Sequence, residues 1–176
     1  MFDEEFRTLK SMRLRDVVVQ VIALGMVVTS ALVLWEFLMV FLNSESPVVV
    51  VLSGSMEPGY YRGDLLLLNL WSDPIQVGDV VVFKQPDREI PIVHRVHRVH
   101  VRESDGHVFI LTKGDNNNLD DRALYPRGVE WIGEKDLMGR SKAYLPHVGY
   151  LTILMSENNW MRFVVVGALA FFVITG

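Results

Sequence analysis

The chain has 176 residues, of which 50% are hydrophobic, and its 17 Lys+Arg against 21 Asp+Glu give a net charge of −4. This length suits one compact domain with appendages. The excess of acidic residues argues against a nucleic-acid-binding protein, because such proteins usually carry a basic face. Cysteine is absent from the sequence, which excludes disulfides, zinc–thiolate sites, iron–sulfur clusters and a thiol nucleophile. The mean hydropathy of +0.25 is high for a soluble protein, and the apolar excess lies near the two ends.

An apolar stretch near the N-terminus, residues 17–42, contains one charge, Glu36, and no proline. As a helix it would reach roughly 39 Å, enough to cross a hydrocarbon core of about 30 Å. Four basic residues precede it and the next one follows much later: Arg7, Lys10, Arg13 and Arg15, then Arg62. The positive-inside rule predicts a single-pass type II topology, with residues 1–16 as a cytoplasmic tail and 17–42 as a transmembrane signal anchor. A cleaved signal peptide has an apolar core of only about 7–15 residues, so this stretch is expected to be retained.

Residues 43–150 are predicted to form a mainly β body on the far side of the membrane. Short apolar runs rich in β-branched residues alternate with turn-forming Gly, Pro, Asn and Asp, without a long helical periodicity. Five such runs indicate strands: residues 47–52, 64–70, 79–83, 90–101 and 108–112. Strands at this spacing are typical of a small all-β domain, and this part of the chain is long enough to close a core.

The C-terminal segment, residues 151–176, ends in a second apolar run at 163–175. As a helix this run would measure about 20 Å, which is too short to span an ordinary bilayer. It fits a short membrane-associated helix, either re-entrant or interfacial, or a span through a locally thinned bilayer. A hydrophobic packing surface for a partner protein is the other interpretation.

The sequence Ser53-Gly54-Ser55-Met56-Glu57-Pro58 directly follows the first predicted strand. A strand that ends in small residues and then turns exposes a hydroxyl at a tight bend, where backbone N–H groups are free to bind a tetrahedral oxyanion. Without cysteine, a nucleophile must be Ser, Thr, Lys or a carboxylate. An ordinary loop rich in serine and glycine is the alternative interpretation.

Five histidines are candidates for a general base: His94, His97, His100, His107 and His147. The segment 92–98 is predicted to be a strand, in which successive side chains point to opposite faces. His94 shares the apolar face with Ile92 and Val96, which favours it as a sheltered base, whereas His97 lies on the other face. The same alternation disfavours a metal site at the H-x-x-H-x-x-H spacing. A packed structural histidine is the alternative for His94.

A polar segment, residues 113–122, is dense in Asn and Asp. Such side chains hydrogen-bond their own backbone in tight turns, so a structural loop is one interpretation. A carboxylate of this segment could instead orient His94 and stabilise its imidazolium form. Calcium is a third candidate, although the spacing does not match an EF-hand loop, and Lys113 and Arg122 dilute the negative charge.

These segments, in this order behind an N-terminal anchor, resemble the type I signal peptidase family in its endoplasmic-reticulum form. Five boxes carry the resemblance: Ser53–Pro58, Arg62–Asp64, Gly78–Phe83, Ile92–Val96 and Gly114–Arg122. His94 stands where bacterial members carry the general-base lysine, which is characteristic of the endoplasmic-reticulum form. The resemblance covers essentially the whole chain and implies a mostly β catalytic body at the membrane.

The resemblance also implies five site residues: a nucleophile Ser55, a general base His94, a third catalytic member Asp121, a supporting Asp115 and an oxyanion donor Ser53. The last box is the least regular one. Bacterial members have Asn-Ser-x-Asp-Ser-Arg where this chain has Asn-Leu-Asp-Asp-Arg at residues 118–122. Which of Asp115, Asp120 and Asp121 orients His94 is therefore left open at this point.

The implied activity is that of a membrane-bound serine endopeptidase that removes signal peptides from secretory and membrane-protein precursors, through an acyl-enzyme and without a cofactor. The implied partners are those precursors, other subunits of a peptidase complex and the lipid bilayer. The implied location is the endoplasmic-reticulum membrane, with the catalytic domain in the lumen. Two rival classes are a non-catalytic anchored β module, which would lack Ser55 or His94, and a lipid hydrolase. The hydrolase would show a G-x-S-x-G elbow, which the sequence around Ser55 does not match.

Overall fold

The computed structural model describes residues 13–71, 74–86, 88 and 90–175. Residues 1–12, which make up most of the predicted cytoplasmic tail, lie outside the described residues. The chain divides into two compact units. Leu38–Glu157 form a β-rich body, and the other unit comprises the described residues up to Phe37 together with those from Asn158 onward.

The first helix, α1, spans Leu14–Leu42 and has 29 residues, so it begins three residues before the predicted anchor and ends where predicted. At its start the Arg13 N–H donates to the Asp16 carboxylate at 3.2 Å, and an acidic residue in the first turn also suits the helix dipole. None of its side chains is buried. Among the described residues it is the one helix long and apolar enough to cross a membrane, by length and composition.

The body is a single antiparallel sheet of seven strands in the order β1-β2-β7-β3-β4-β5-β6. Its strands are β1 Val48–Val50, β2 Leu65–Asn69, β3 Val80–Phe83, β4 Ile92–Val101, β5 Val108–Lys113, β6 Ile132–Gly133 and β7 Leu137–Leu145. The first five lie within the five apolar runs identified from the sequence, apart from the last residue of β5. The predicted mainly β fold with one N-terminal apolar helix and a short C-terminal helix is confirmed.

The centre of the sheet is β3, which is buried on both faces along its whole length. Because successive strand residues point to opposite faces, Val81 and Phe83 belong to one apolar cluster and Val82 to another. The first cluster also contains buried side chains of β4 to β7 and Tyr125, and the second contains buried side chains of β2 with Val51. Strand β4, which carries His94, is therefore fixed against the most buried strand of the protein.

Two strands, β6 and β7, were not predicted from the sequence. The β7 sequence Leu-Met-Gly-Arg-Ser-Lys-Ala-Tyr-Leu contains no β-branched residue, so it lacks the composition on which strand prediction depends. It nevertheless lies between β2 and β3 and joins the two halves of the sheet. Its buried Arg140 donates to the Asp79 carboxylate at 3.2 Å and to the Trp71 carbonyl at 3.1 Å, which ties β7 to the segment before β3.

The corner between β1 and β2 is held by the buried carboxylate of Asp64. It accepts hydrogen bonds from the Tyr61 N–H at 2.9 Å and from the His147 N–H at 3.1 Å, so one side chain joins two distant turns. Gly63 has φ +92°, and a Cβ atom there would lie 2.5 Å from the Tyr150 ring. Both the backbone conformation and the close approach of this ring require glycine at this position.

Two helices follow the sheet: α2, Tyr150–Glu157, and α3, Asn159–Thr175. Helix α3 begins four residues before the predicted run at 163–175 and has 17 residues, or about 26 Å of helix. It is still shorter than the roughly 30 Å hydrocarbon core of a bilayer, as the sequence predicted.

The substitution Gly63→Ala is expected to destabilise the body by about 2–4 kcal/mol, because it combines left-handed backbone strain with a clash against Tyr150. Gly128→Ala is the matched control, since Gly128 has φ +82° with nothing within 4 Å of the added Cβ. Thermal unfolding of the purified full chain in detergent, followed by tryptophan fluorescence, measures the difference. Equal losses for both variants would show that the contact with Tyr150 adds nothing.

Candidate active site

The loop after β1, residues 51–60, presents Ser55 at a tight turn. Two backbone hydrogen bonds close the turn, from the Glu57 N–H to the Gly54 carbonyl at 3.2 Å and from the Tyr60 N–H to the Met56 carbonyl at 2.9 Å. Met56 is completely buried, so its side chain anchors the loop from inside while Ser55 remains half-buried at the surface. We refer to residues 51–60, which carry the candidate nucleophile Ser55, as the nucleophile loop.

His94 lies on β4 with its side chain buried, opposite Val81 of the central strand. Its Nε2 atom is 3.1 Å from the Ser55 Oγ atom. His97 is exposed, in agreement with the predicted alternation of faces, although β4 also contains a bulge between Val96 and Arg98. The structure therefore brings together the serine and the histidine singled out from the sequence, 39 residues apart in the chain.

Asp121 is the acidic residue that contacts His94. It begins a short 3₁₀ helix, Asp121–Leu124, and its carboxylate Oδ2 atom lies 2.5 Å from the His94 Nδ1 atom, with the Asp121 side chain only 1% exposed. The neighbouring Asp120 is the N-cap of this helix, where its carboxylate accepts from the Arg122 N–H at 3.3 Å. A buried carboxylate requires hydrogen-bond donors or an opposite charge, and His94 is one such partner.

Asp115, the other candidate in this segment, contacts Arg95 instead of His94. Its two carboxylate oxygens accept from Arg95 Nε at 2.8 Å and Nη2 at 2.7 Å, and Arg95 Nη1 donates to the Gly78 carbonyl at 2.8 Å. This bidentate hydrogen bond with Asp115 raises the pKa of Arg95 above its ordinary value. Asp115 therefore joins β4 to the turn that follows β5.

That turn holds the nucleophile loop through Asn116, which the sequence analysis did not single out. The Asn116 N–H donates to the Ser55 carbonyl at 2.9 Å, and its side-chain Nδ2 donates to the Gly54 carbonyl at 3.1 Å. Next to it, a Cβ atom on Gly114 would lie 2.7 Å from the Ser55 carbonyl oxygen. Two sequence signals covered Asn116, the density of Asn and Asp and the box Gly114–Arg122, and neither identifies what the turn contacts.

The Ser53 hydroxyl lies 3.2 Å from the Ser55 hydroxyl. With its Nδ1–H directed to the Asp121 carboxylate, neutral His94 has an acceptor at Nε2, so the Ser55 hydroxyl donates a hydrogen bond to His94. The Ser55 oxygen then accepts a hydrogen bond from the Ser53 hydroxyl. Ser53 is thus a hydrogen-bond donor at the atom where a nucleophile would react.

The arrangement has the chemistry of an activated hydroxyl. A serine, a histidine and a carboxylate are connected in series by hydrogen bonds, and the histidine and carboxylate are buried away from water. Such a series lets the histidine accept the hydroxyl proton as the oxygen attacks an electrophilic carbon. Within the described residues no group of three or more His, Cys, Asp or Glu side chains could hold a metal ion.

Residues 17–99 match the family model described as signal peptidase, peptidase S26, a range that includes Ser55 and His94. The human signal peptidase complex catalytic subunit SEC11C is 48% identical over 170 residues, covering 96% of this chain and 88% of the relative. The Dictyostelium discoideum subunit sec11 is 49% identical over 156 residues, with coverages of 89% and 87%. The SEC11 subunit of Clavispora lusitaniae is 50% identical over 157 residues, with coverages of 89% and 93%.

We expect Asn116→Ala to lower the rate at which a fluorophosphonate labels Ser55 by about fivefold, which corresponds to about 1 kcal/mol for a lost hydrogen bond. The variant keeps the backbone N–H bond to Ser55 and removes only the side-chain bond to Gly54. Asn118→Ala is the matched control, because Asn118 is an exposed residue of the same turn. If the two variants are labelled equally fast, the Asn116 side chain does not position the nucleophile loop.

Proposed function

The chain belongs to the peptidase S26 family of signal peptidases, and we propose that it is the catalytic subunit of a signal peptidase complex. In this role it removes N-terminal signal peptides from secretory and membrane-protein precursors. The observation that carries the proposal is the position of His94, with Nε2 at 3.1 Å from the Ser55 hydroxyl and Nδ1 at 2.5 Å from the Asp121 carboxylate. The similarity to catalytic subunits over nearly the whole chain supports it independently.

In the proposed mechanism, the Ser55 Oγ atom attacks the carbonyl carbon before the scissile bond while His94 Nε2 takes the hydroxyl proton. The tetrahedral intermediate collapses, the C–N bond breaks, and His94 returns the proton to the leaving amine, which leaves an acyl-enzyme on Ser55. Water then attacks the acyl carbon while His94 takes its proton, the bond from this carbon to Ser55 Oγ breaks, and His94 returns the proton to Ser55 as the signal peptide leaves with a free carboxylate. Asp121 keeps the His94 Nδ1–H in place and stabilises the imidazolium form.

The oxyanion of the tetrahedral intermediate needs donors near Ser55. The Ser53 hydroxyl donates to Ser55 Oγ in the resting site, and this bond weakens when Ser55 forms a bond to the substrate carbon. Ser53 is then free to turn towards the oxyanion, next to backbone N–H groups of the nucleophile loop. Donors of this kind contribute a few kcal/mol each to the stabilisation of a transition state.

The proposed location is the endoplasmic-reticulum membrane. Residues 17–42 serve as the signal anchor, residues 43–150 as the lumenal peptidase domain, and 151–176 as a C-terminal segment with a short membrane-associated helix. The charge bias around the anchor supports a cytoplasmic tail at residues 1–16. Ser55 follows Leu42 by only 13 residues in the sequence. This short tether keeps the reacting hydroxyl near the membrane surface, where a translocated precursor presents its cleavage site.

The proposed partners are signal-peptide-bearing precursors, other subunits of the complex and the lipid bilayer. The names of the similar proteins describe subunits of a signal peptidase complex, which supports assembly with further chains. The exposed apolar side chains of α1 suit a bilayer or apolar partner helices. No cofactor enters the proposed reaction, because a serine, a histidine and a carboxylate suffice for acyl transfer.

The decisive test is cleavage of a labelled secretory precursor by the complex reconstituted in membranes with its partner subunits. We expect Ser55→Ala and His94→Ala to lower the rate by roughly 10⁶-fold and Asp121→Asn by roughly 10⁴-fold. Asp120→Asn is the control for Asp121→Asn and should retain activity, since Asn caps a helix about as well as Asp. Full cleavage by Ser55→Ala in an intact complex would assign the activity to another subunit and leave this chain a scaffold.

Glycosylation reports the proposed topology, because the sequence contains no Asn-x-Ser/Thr acceptor of its own. Arg102→Asn creates the acceptor Asn-Glu-Ser in the exposed turn between β4 and β5, and Phe6→Asn creates Asn-Arg-Thr in the N-terminal tail. We expect a glycosidase-sensitive mass increase for Arg102→Asn alone when the chain is expressed in cells. Modification of Phe6→Asn alone would reverse the orientation and rule out a lumenal peptidase domain.

A further inference from the structure

Two buried residues outside the serine, histidine and aspartate continue the hydrogen-bonded series beyond Asp121. Thr112, at the end of β5, is completely buried, and its Oγ1 atom donates to Asp121 Oδ2 at 2.6 Å. Tyr125, directly after the 3₁₀ helix, is 7% exposed, and its hydroxyl lies 2.8 Å from Thr112 Oγ1 and 3.0 Å from the Thr112 backbone N. Neither residue is needed for proton transfer between Ser55 and His94.

Each hydrogen bond in this series can have only one donor. The Asp121 carboxylate can only accept, so the Thr112 hydroxyl uses its one O–H to donate a hydrogen bond to Asp121. Thr112 Oγ1 is then an acceptor, and the Tyr125 O–H donates to it. The Tyr125 oxygen in turn accepts from the Thr112 backbone N–H. The order is therefore Tyr125 to Thr112 to Asp121, and every buried polar atom in it has a partner.

The ionisable groups that act on this series include His94, Asp121 and Asp120. His94 of β4 binds the Asp121 carboxylate, and the charges of Asp121 and Asp120 both act on the Tyr125 phenol. Burial raises the pKa of the Tyr125 phenol above its usual value, and the nearby charges of Asp121 and Asp120 raise it further, against the lowering effect of its hydrogen bonds to Thr112. The phenol consequently keeps its proton, as a donor to Thr112 must.

We propose that Thr112 and Tyr125 are positioning residues that hold the Asp121 carboxylate in the orientation in which its Oδ2 atom binds His94. Both donors, Thr112 Oγ1–H and His94 Nδ1–H, converge on this one oxygen. Thr112 therefore fixes the rotamer of Asp121 and also competes with His94 for its negative charge. The inference rests on the proposed function, because its effect on catalysis passes through His94.

A change at Thr112 should affect the chemical step and spare substrate binding. When the Thr112 hydroxyl is removed, Asp121 keeps the His94 Nδ1–H donor and loses the Thr112 donor. The His94 imidazole is then aligned with the Ser55 hydroxyl for a smaller fraction of the time. The remaining bond from His94 to Oδ2 becomes stronger, so the protonated imidazole persists to higher pH. The first effect lowers kcat, and the second moves the acidic limb of the pH–rate profile.

The test uses the assembled complex in membranes, with Thr112→Val, Thr112→Ser and Tyr125→Phe. Val has the shape of Thr without the hydroxyl, Ser restores the hydroxyl, and Phe removes only the phenolic oxygen. Thr152→Val and Tyr144→Phe are matched controls, because both residues are exposed and distant in sequence from the series. The measurements are kcat, KM, the pH dependence of kcat/KM and the amount of assembled complex.

The expected result is a kcat at least tenfold lower for Thr112→Val with KM unchanged, together with an acidic limb displaced to higher pH. Thr112→Ser recovers most of kcat and the original limb, Tyr125→Phe loses several-fold in kcat, and the controls match the unmodified chain. An unchanged kcat and pH profile in Thr112→Val overturns the proposal. If Thr112→Val fails to assemble, an unaltered kcat and profile in assembled Tyr125→Phe shows a purely structural role and overturns it as well.

These outcomes are distinct from failure of the proposed function. Cleavage that survives Ser55→Ala refutes the proposed function whatever Thr112 does. Cleavage that depends on Ser55 and His94 but is indifferent to the hydroxyl groups of Thr112 and Tyr125 refutes only the positioning role.

Discussion

The site depends on the hydrogen bond between His94 and the buried carboxylate of Asp121. Moving a carboxylate out of water costs several kcal/mol unless donors replace the lost hydration, and Asp121 is almost completely buried. Here the replacement comes from the imidazole N–H and the Thr112 hydroxyl. The same bond sets the tautomer of His94 and so leaves Nε2 as an acceptor for Ser55. One interaction therefore serves both folding and reactivity.

Three pieces of the chain must meet for that bond to work, and the sheet decides where they meet. β4 lies next to the fully buried β3, which fixes His94 in position and depth. Pairing of β4 with β5 places Val96 opposite Thr112, so the end of β5 and the 3₁₀ helix after it arrive beside His94. The nucleophile loop approaches from β1, and its buried Met56 and its contacts with Asn116 limit its movement.

The polar segment after β5 has separate tasks for its acidic residues. Asp115 binds Arg95 and thereby braces the turn that contacts the nucleophile loop, Asp120 caps the 3₁₀ helix, and Asp121 binds His94. Two carboxylates directed at the same imidazole would repel each other in a site with little water. With Asp115 bound to an arginine and Asp120 at a helix terminus, a single one of these three carboxylates binds His94.

The amino-acid sequence by itself determined the long apolar helix near the N-terminus and five of the seven strands, and its resemblance to the type I signal peptidase family singled out Ser55 and His94. The helix and the strands follow from local physics, since helix length, strand alternation and turn composition act between near neighbours in the chain. The burial of His94 and the exposure of His97 follow from the two-residue period of a strand. The sequence did not identify β7, because its residues lack the β-branched composition of the other strands and its place is set by the partners on either side.

Only the tertiary structure decided which aspartate orients His94 and which residues support it. Asp115, Asp120 and Asp121 have the same chemistry within seven residues, so spacing alone could not distinguish them. The choice depended on a contact between two residues 27 positions apart in the chain, His94 and Asp121. Thr112, Asn116 and Tyr125 escaped notice for the same reason: an uncharged hydroxyl or amide acquires a role only through the partner that folding places beside it.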